Sequence, residues 1–310
     1  MKKFYFQIGP ILISQASALS GGLLIGMPAL YAYTGWLNNL TLRLSQQLEV
    51  SVKPCAVAPV FHAFTLHRGH PKYVKYRPGQ LADVATRGPN HPTVDEQKTT
   101  FEISLLIAVE SEGFELSTDH LAAAMRGMKL AGGGISSVDS DATTIKVRKH
   151  QKATDLISLV PFNAICLADA SYLLEDAAAL GLNKFDAMLH AFAAPNAHRE
   201  LKENESPRPN WLPSEGNFLP ICIGAIALET FKAPSERAGI RQADDATLDS
   251  PTHHAFAESV FSLIRAQTVA SVRANMSADE GPSIFWQEFC SADESDQMFF
   301  GAQSVPFTNI

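Results

Sequence analysis

The sequence predicts an α+β fold, and three stretches carry the prediction. The first, Lys3 to Leu48, reads as strand, glycine-rich loop and helix: Phe4–Ile8 and Ile11–Ile13, then Ser14–Gly26, then a helix after Pro28 to about Gln47. The second, Thr99–Val109, alternates at first and then turns fully apolar, as a strand does on passing into a buried setting. The third is Ser117-Thr118-Asp119, which supplies N-cap chemistry before an apolar helix from Leu121 to Leu130. With an irregular strand over Val52–Leu66, interrupted by Pro54 and Pro59, the order is β-α-β, a loop, then β-α-β. That is the ferredoxin-like or RRM-like split pattern.

No charged residue lies between Lys3 and Arg43. A run this long is buried either in a membrane or in a core. A spanning helix needs about 20 continuous apolar residues. Here Gln7, Gly9, Pro10, Ser14, Gln15, Ser17 and Gly21-Gly22 interrupt the run, and Pro28 lacks the N–H of a helix interior. Burial in a core is therefore expected, with Gly9-Pro10 marking a bulge or edge kink in the first strand and Pro28 at a helix start.

Beyond the first β-α-β unit, residues 67–98 form a long Pro/Gly-rich connection. The Gly132-Gly133-Gly134 run reads as a helix stop, with Ile135–Val147 as a strand region after it. The later elements are less regular. Asp155–Leu167 reads as a strand, and Tyr172–Leu180 and Lys184–Phe192 as helices separated by Gly181. His198–Asn217 is polar and Pro-rich. Pro220–Phe231 reads as a strand, Pro251–Val272 as an amphipathic helix and Ser283–Cys290 as a strand.

The net charge is −7, which argues against a generic nucleic-acid binder. The charge is unevenly spread, however. From His67 to Gln80 stand Arg68, Lys72, Lys75 and Arg77 with no acid. From Arg126 to Lys152 stand Arg126, Lys129, Lys146, Arg148, Lys149 and Lys152 against Asp139 and Asp141. From Asp244 onward the acids number ten and the bases are Arg265 and Arg273. Two basic segments and an acidic C-terminal region predict one face for an anion and another for different partners. Cys55, Cys166, Cys222 and Cys290 lie far apart without a C-x-x-C pair, as expected for reduced thiols of a cytoplasmic protein.

No nucleophile elbow, Walker loop or H-E-x-x-H motif is present. Of the ten histidines, His67 with His70 or His62 with His67 could be ligands on paper. Strands and loops at this spacing do not fix both on one metal, and no carboxylate sits at a diagnostic offset, so neither a metal nor a cofactor is expected. The sharper signal is Tyr73 and Tyr76 alternating with Lys72, Lys75 and Arg77, with Arg87 further along the same loop. Rings that stack on bases beside cations that neutralise phosphates are what single-stranded nucleic acid requires. The same residues also suit a solvated, charged hairpin. For Gly132-Gly133-Gly134 the alternative to a helix stop is close approach to a phosphate backbone, with Arg126 and Lys129 beside it.

Four segments resemble the second Csy subunit of type I-F CRISPR–Cas surveillance complexes, in that family's order. They are Ser17–Leu37, Phe101–Val109, Met125–Ile135 with Met-Lys-Leu-Ala-Gly-Gly-Gly at its centre, and Trp211 through Pro220–Leu228. The resemblance implies an RRM-like/ferredoxin-like palm with a basic thumb-like loop and a helical insertion. Residues 1–150 would form the core, including the thumb at about 67–98. Residues 151–217 would form a mainly helical insertion and linker, and 218–310 the strands and helix that complete the core. It also implies a non-catalytic Cascade subunit that grips the 5′ handle of the CRISPR RNA.

Its partners would be that RNA, the large subunit and the backbone subunit, with target DNA met only indirectly and no membrane. The expected RNA contacts are Arg68, Lys72, Tyr73, Lys75, Tyr76, Arg77 and Arg87 in the thumb, and Arg126, Lys129, Lys146, Arg148 and Lys149 beside the glycine run. The rival readings are a repeat-RNA endonuclease of the same fold with His67 or His70 as general base, a backbone subunit polymerising along the spacer, and an unrelated soluble enzyme.

Overall fold

The computed structural model describes residues 1–21, 24–67, 97–138, 145–193, 209–213, 216–228, 257–275, 283–292 and 298–310. The expected thumb contacts Arg68, Lys72, Tyr73, Lys75, Tyr76, Arg77 and Arg87 lie outside them, as do His70 and most of the Pro-rich stretch His198–Asn217.

The uncharged N-terminal run becomes β1 (Lys2–Ser17) and α1 (Leu30–Leu48). A small hairpin of β2 (Leu19–Ser20) and β3 (Leu24–Ile25) lies between them. The expected loop is thus shorter than Ser14–Gly26, because Ser14–Ser17 still find strand partners in their neighbours. The expected kink is a register shift between Ile8 and Ile11. Gly9 sits there at φ +111°, and its N–H donates to the Lys146 carbonyl at 2.9 Å. A Cβ at Gly9 would stand 2.8 Å from the Ile103 carbonyl oxygen, so only glycine fits.

Helix α1 starts two residues after Pro28 and buries Leu30, Tyr33, Leu37, Leu40 and Leu44 at helical spacing. Each fully buried leucine contributes about 1.5–3 kcal/mol. The helix stops where Glu49 turns left-handed at φ 55°.

Next come β4 (Val52–His67) and β5 (Lys98–Ser111), paired antiparallel along their whole length to His67 opposite Lys98. Ser117 caps α2 (Thr118–Ala124): its hydroxyl accepts from the His120 N–H while the His120 ring accepts from the Ser117 N–H. This helix ends at Ala124, not Leu130. Lys129–Leu130 (β6) and Gly133–Ser137 (β7) form a hairpin turned by Ala131 and Gly132, both at positive φ. The glycine run is therefore a strand turn and not a helix stop. A Cβ at Gly133 would meet the Ser14 carbonyl oxygen at 2.8 Å and the Ala16 N at 2.9 Å, so close strand approach requires that glycine. β8 (Val147–His150) pairs with Tyr5–Ile8 of β1, while β7 pairs with Ile11–Ser14 of the same strand.

The expected strand at Asp155–Leu167 is a 3-10 turn (Ala153–Ile157) followed by a short β9 (Ile165–Asp169). Helices α3 (Tyr172–Ala179) and α4 (Lys184–Ala193) and strand β10 (Asn217–Ala227) stand close to expectation. The amphipathic helix expected over Pro251–Val272 does not form in the described part. That part is β11 (Ala257–Thr268) followed by a short α5 (Val269–Asn275). Both edges of β11 are taken, by β10 on one side and β9 on the other. Tertiary pairing thus overrides a local pattern that cannot by itself separate strand from helix. The last hairpin is β12 (Phe285–Ala292) and β13 (Met298–Val305).

The result is a mixed α/β protein with five α-helices among the described residues. Its eleven-stranded antiparallel sheet runs β12-β13-β10-β11-β9-β4-β5-β1-β7-β6, with β8 also on β1. Trp286 of β12 lies opposite Val57 of β4 and donates its indole N–H to the Leu167 carbonyl at 3.1 Å. One core lies between α1, α2 and the sheet. A second covers part of the opposite face beneath the 3-10 turn and α5. A third lies under α3 and α4.

Candidate nucleic-acid interface

Strand alternation gives the central sheet two unlike faces. Phe4, Phe6, Ile8, Ile11 and Ile13 of β1 point into the core shared with α1. On the opposite face, Tyr5 of β1, Ala56, Ala58 and Val60 of β4 and Leu106 and Ala108 of β5 are covered by Leu156, Ile157, Val269 and Val272. Further along the same strands this face turns polar. Ser14, Thr100, Glu102 and His62 are half-buried, while Thr65, His67, Gly134 and Ser136 are exposed. Among the described residues this face is thus a core wall over one part of β1, β4 and β5 and a mainly polar shelf, which also holds Leu12 and Ala63, over another.

Side-chain bonds order the shelf. His62 Nε2 is 2.8 Å from Ser104 Oγ, and His67 Nε2 is 2.7 Å from Thr100 Oγ1. Burial pushes the His62 ring below its ordinary value, with Glu102 acting in the opposite direction. Lys129 of β6 is exposed opposite Gly134, at the margin of the shelf. No Phe, Tyr or Trp lies among these described shelf residues. The aromatic group nearby, Phe61, Phe64 and Phe101, includes core residues of the other face, with Phe64 40% exposed at the ribbon end. The residues on either side of the basic stretch, His67 and Lys98, are paired across this end of the sheet.

The second expected set of bases is spread along one edge. Lys129 is placed through Gly134 near Ser14 of β1, whereas Arg148 is opposite Gln7. Seven residues of strand separate those levels, roughly 20 Å at the usual rise per residue. Arg126 is exposed just after α2, and Arg148 is exposed on β8. The Lys146 carbonyl holds the bulge at Gly9. Lys149 is committed elsewhere: it pairs with Glu115, donates to the Leu116 carbonyl at 2.9 Å and lies 4.8 Å above the Phe4 ring. Lys149 and Lys2 together hold the Glu115 carboxyl below its ordinary range.

Two further bases are structural. Arg43 donates to the carbonyls of Ala124 and Arg126 at the end of α2. Arg273 donates to the carbonyls of Ile157, Ser158 and Val160 and lies 4.6 Å from the Phe162 ring centre. Sequence reasoning missed the shelf residues Thr100, Glu102 and Ser104 and weighed His62 only as a metal ligand. The available signal was the polar side of the alternation in Thr100-Phe-Glu-Ile-Ser104. Among the described residues no three His, Cys, Asp or Glu side chains are grouped to hold a metal ion.

Fold and surface together define a mixed α/β protein whose large antiparallel sheet carries, among the described residues, a mainly polar patch on one face of β1, β4, β5 and β7, and no helix among the described residues is long and apolar enough to cross a membrane. Compared with protein families, residues 8–299 match the family described as CRISPR-associated protein (Cas_Csy2). The chain belongs to that family, the type I-F Csy2 family of Cascade subunits. A comparison with curated proteins finds no match.

Proposed function

We propose that this chain is a non-catalytic subunit of the type I-F surveillance complex that grips the 5′ handle of the CRISPR RNA and docks the large subunit. The observation that carries the reading is the polar shelf at the end of the sheet where the basic stretch is inserted between His67 and Lys98. The strand order β4-β5-β1-β7, with α1 and α2 packed in one core, supports an RRM-like palm with that insertion as its thumb. RNA backbone would lie along the shelf, near Lys129 and the exposed turn at Gly132. The rings for base stacking would come from Tyr73 and Tyr76.

The chain would act in the cytoplasm, contacting the backbone subunit as well as the RNA and meeting target DNA only through the complex. Of the endonuclease reading's two candidate bases, His67 Nε2 lies 2.7 Å from Thr100 Oγ1 and His70 lies outside the described residues.

The test uses the purified chain with handle RNA and with a scrambled RNA of equal length, followed by a metal-free incubation with repeat RNA. The expected result is preferential binding of the handle and intact repeat RNA. Equal binding of both RNAs refutes handle recognition, and sequence-specific cuts refute the non-catalytic assignment.

A further inference from the structure

Helices α3 and α4 form a hairpin joined through Gly181, and α4 distributes its side chains against its own interest. Toward the sheet it sends Ala187, Met188 and Ala191, which join Leu173, Leu174 and Ala177 of α3 in a small core with Phe218 and Leu263. Phe185, Leu189 and Phe192 stay outside, 58%, 43% and 56% exposed. Their i, i+4, i+7 spacing gathers them within about 60° of the helix circumference. Tyr172, Leu180 and Leu182 of the same hairpin are exposed as well. A helix serving its own domain alone would gain more by burying two phenylalanines and a leucine than two alanines and a methionine. Single exposed apolar residues are ordinary, but six large ones on one short hairpin mark an interaction site.

The charges around the stripe say what fits it. Glu175, Asp176 and Asp186 are exposed, and the hairpin's one lysine, Lys184, is paired with Glu175. With three carboxylates against Lys184 and His190, the hairpin that carries this stripe is net negative, which repels a polyanion and complements a segment that is apolar on one face and basic at its flanks.

We propose that the α3–α4 hairpin docks a basic amphipathic helix of another protein subunit, with Phe185, Leu189 and Phe192 as its anchors. The inference rests on the reading of this chain as a subunit of an RNA-bound complex, and it names the docking surface and the chemistry of the partner segment.

The test is photocrosslinking in the complex assembled by co-expression with its neighbouring genes and RNA, with benzoylphenylalanine in place of Leu189. The expected crosslink is to a segment of another subunit in which lysines or arginines flank an apolar helical stripe. The paired substitutions Phe185→Glu and Phe192→Glu should then weaken retention of that subunit at least tenfold while handle-RNA affinity stays within twofold. Crosslinks to RNA, to the chain itself or to a second copy overturn the proposal, as does an absent crosslink in a complex that keeps all its subunits. If the docking result holds but no RNA is retained, the RNA-binding reading fails and the docking surface stands.

Discussion

The salt dependence of RNA binding separates exposed bases from those the fold has already engaged. Each single-strand phosphate contact contributes about 0.7 to the slope of log affinity against log salt. Arg126 and Lys129 are exposed, whereas Lys149 is tied to Glu115 and to the Leu116 carbonyl. If both exposed bases touch the handle, Arg126→Gln with Lys129→Gln lowers the slope by about 1.4. Raising the salt from about 50 to about 200 mM would then cost the double variant about sevenfold less affinity than it costs the unaltered chain, by the same relation. Lys149→Gln, losing a base already engaged, should leave the slope where it was. The assay is filter binding or fluorescence anisotropy with labelled handle RNA across that salt range. An unchanged slope in the double variant refutes shelf-side binding. An equal change from Lys149→Gln refutes the distinction between exposed and engaged bases.

Three other outcomes are expected. Gly133→Ala puts a Cβ 2.8 Å from the Ser14 carbonyl oxygen, so overpacking should cost about 1–3 kcal/mol in denaturant unfolding; an unaffected midpoint would mean that β1 and β7 are further apart. Burial lowers the imidazole values of His62 and His150 below the ordinary 6.5, with Glu102 and Asp155 respectively opposing the shift. Burial penalises the charged form of each ring, so the stabilising contribution is present above about pH 6.5 and lost as pH falls through the lowered folded values. His62→Gln should therefore flatten the loss of stability between about pH 7 and 5, and an identical pH profile would count against it. Iodoacetamide at mildly alkaline pH should label the exposed Cys290 first, since burial pushes the Cys55 thiol up to about 11 and the Cys166 thiol up to about 12; early labelling of Cys166 would contradict the packing around β9.

The elements that can be read locally are the ones the sequence anticipated well. The uncharged run became β1 and α1 because its periodicity and Pro28 speak for themselves. Ser117 capped a helix because a hydroxyl beside free N–H groups needs no distant partner. β11 misled because its apolar run suits either period, and only β9 and β10 on its two edges decided the matter. The glycine run misled because a helix stop and a tight strand turn ask for the same residue, and contact with Ser14, far away in sequence, selected the turn.

Residue by residue, then, the sequence determined where strands and helices could form, which faces would be apolar and that positive charge is concentrated in two segments. Family resemblance was also legible there, because the four quoted segments keep their order along the chain. Only the tertiary structure decided that, among the described residues, one sheet face is a core wall over part of β1, β4 and β5 and a mainly polar shelf over another part. It also decided that Lys149, Arg43 and Arg273 hold the protein's own carboxylate and carbonyls, and that α4 turns its phenylalanines outward. These depend on which distant groups come to lie within a few ångströms of each other, and pairing at that range leaves no mark in a local pattern.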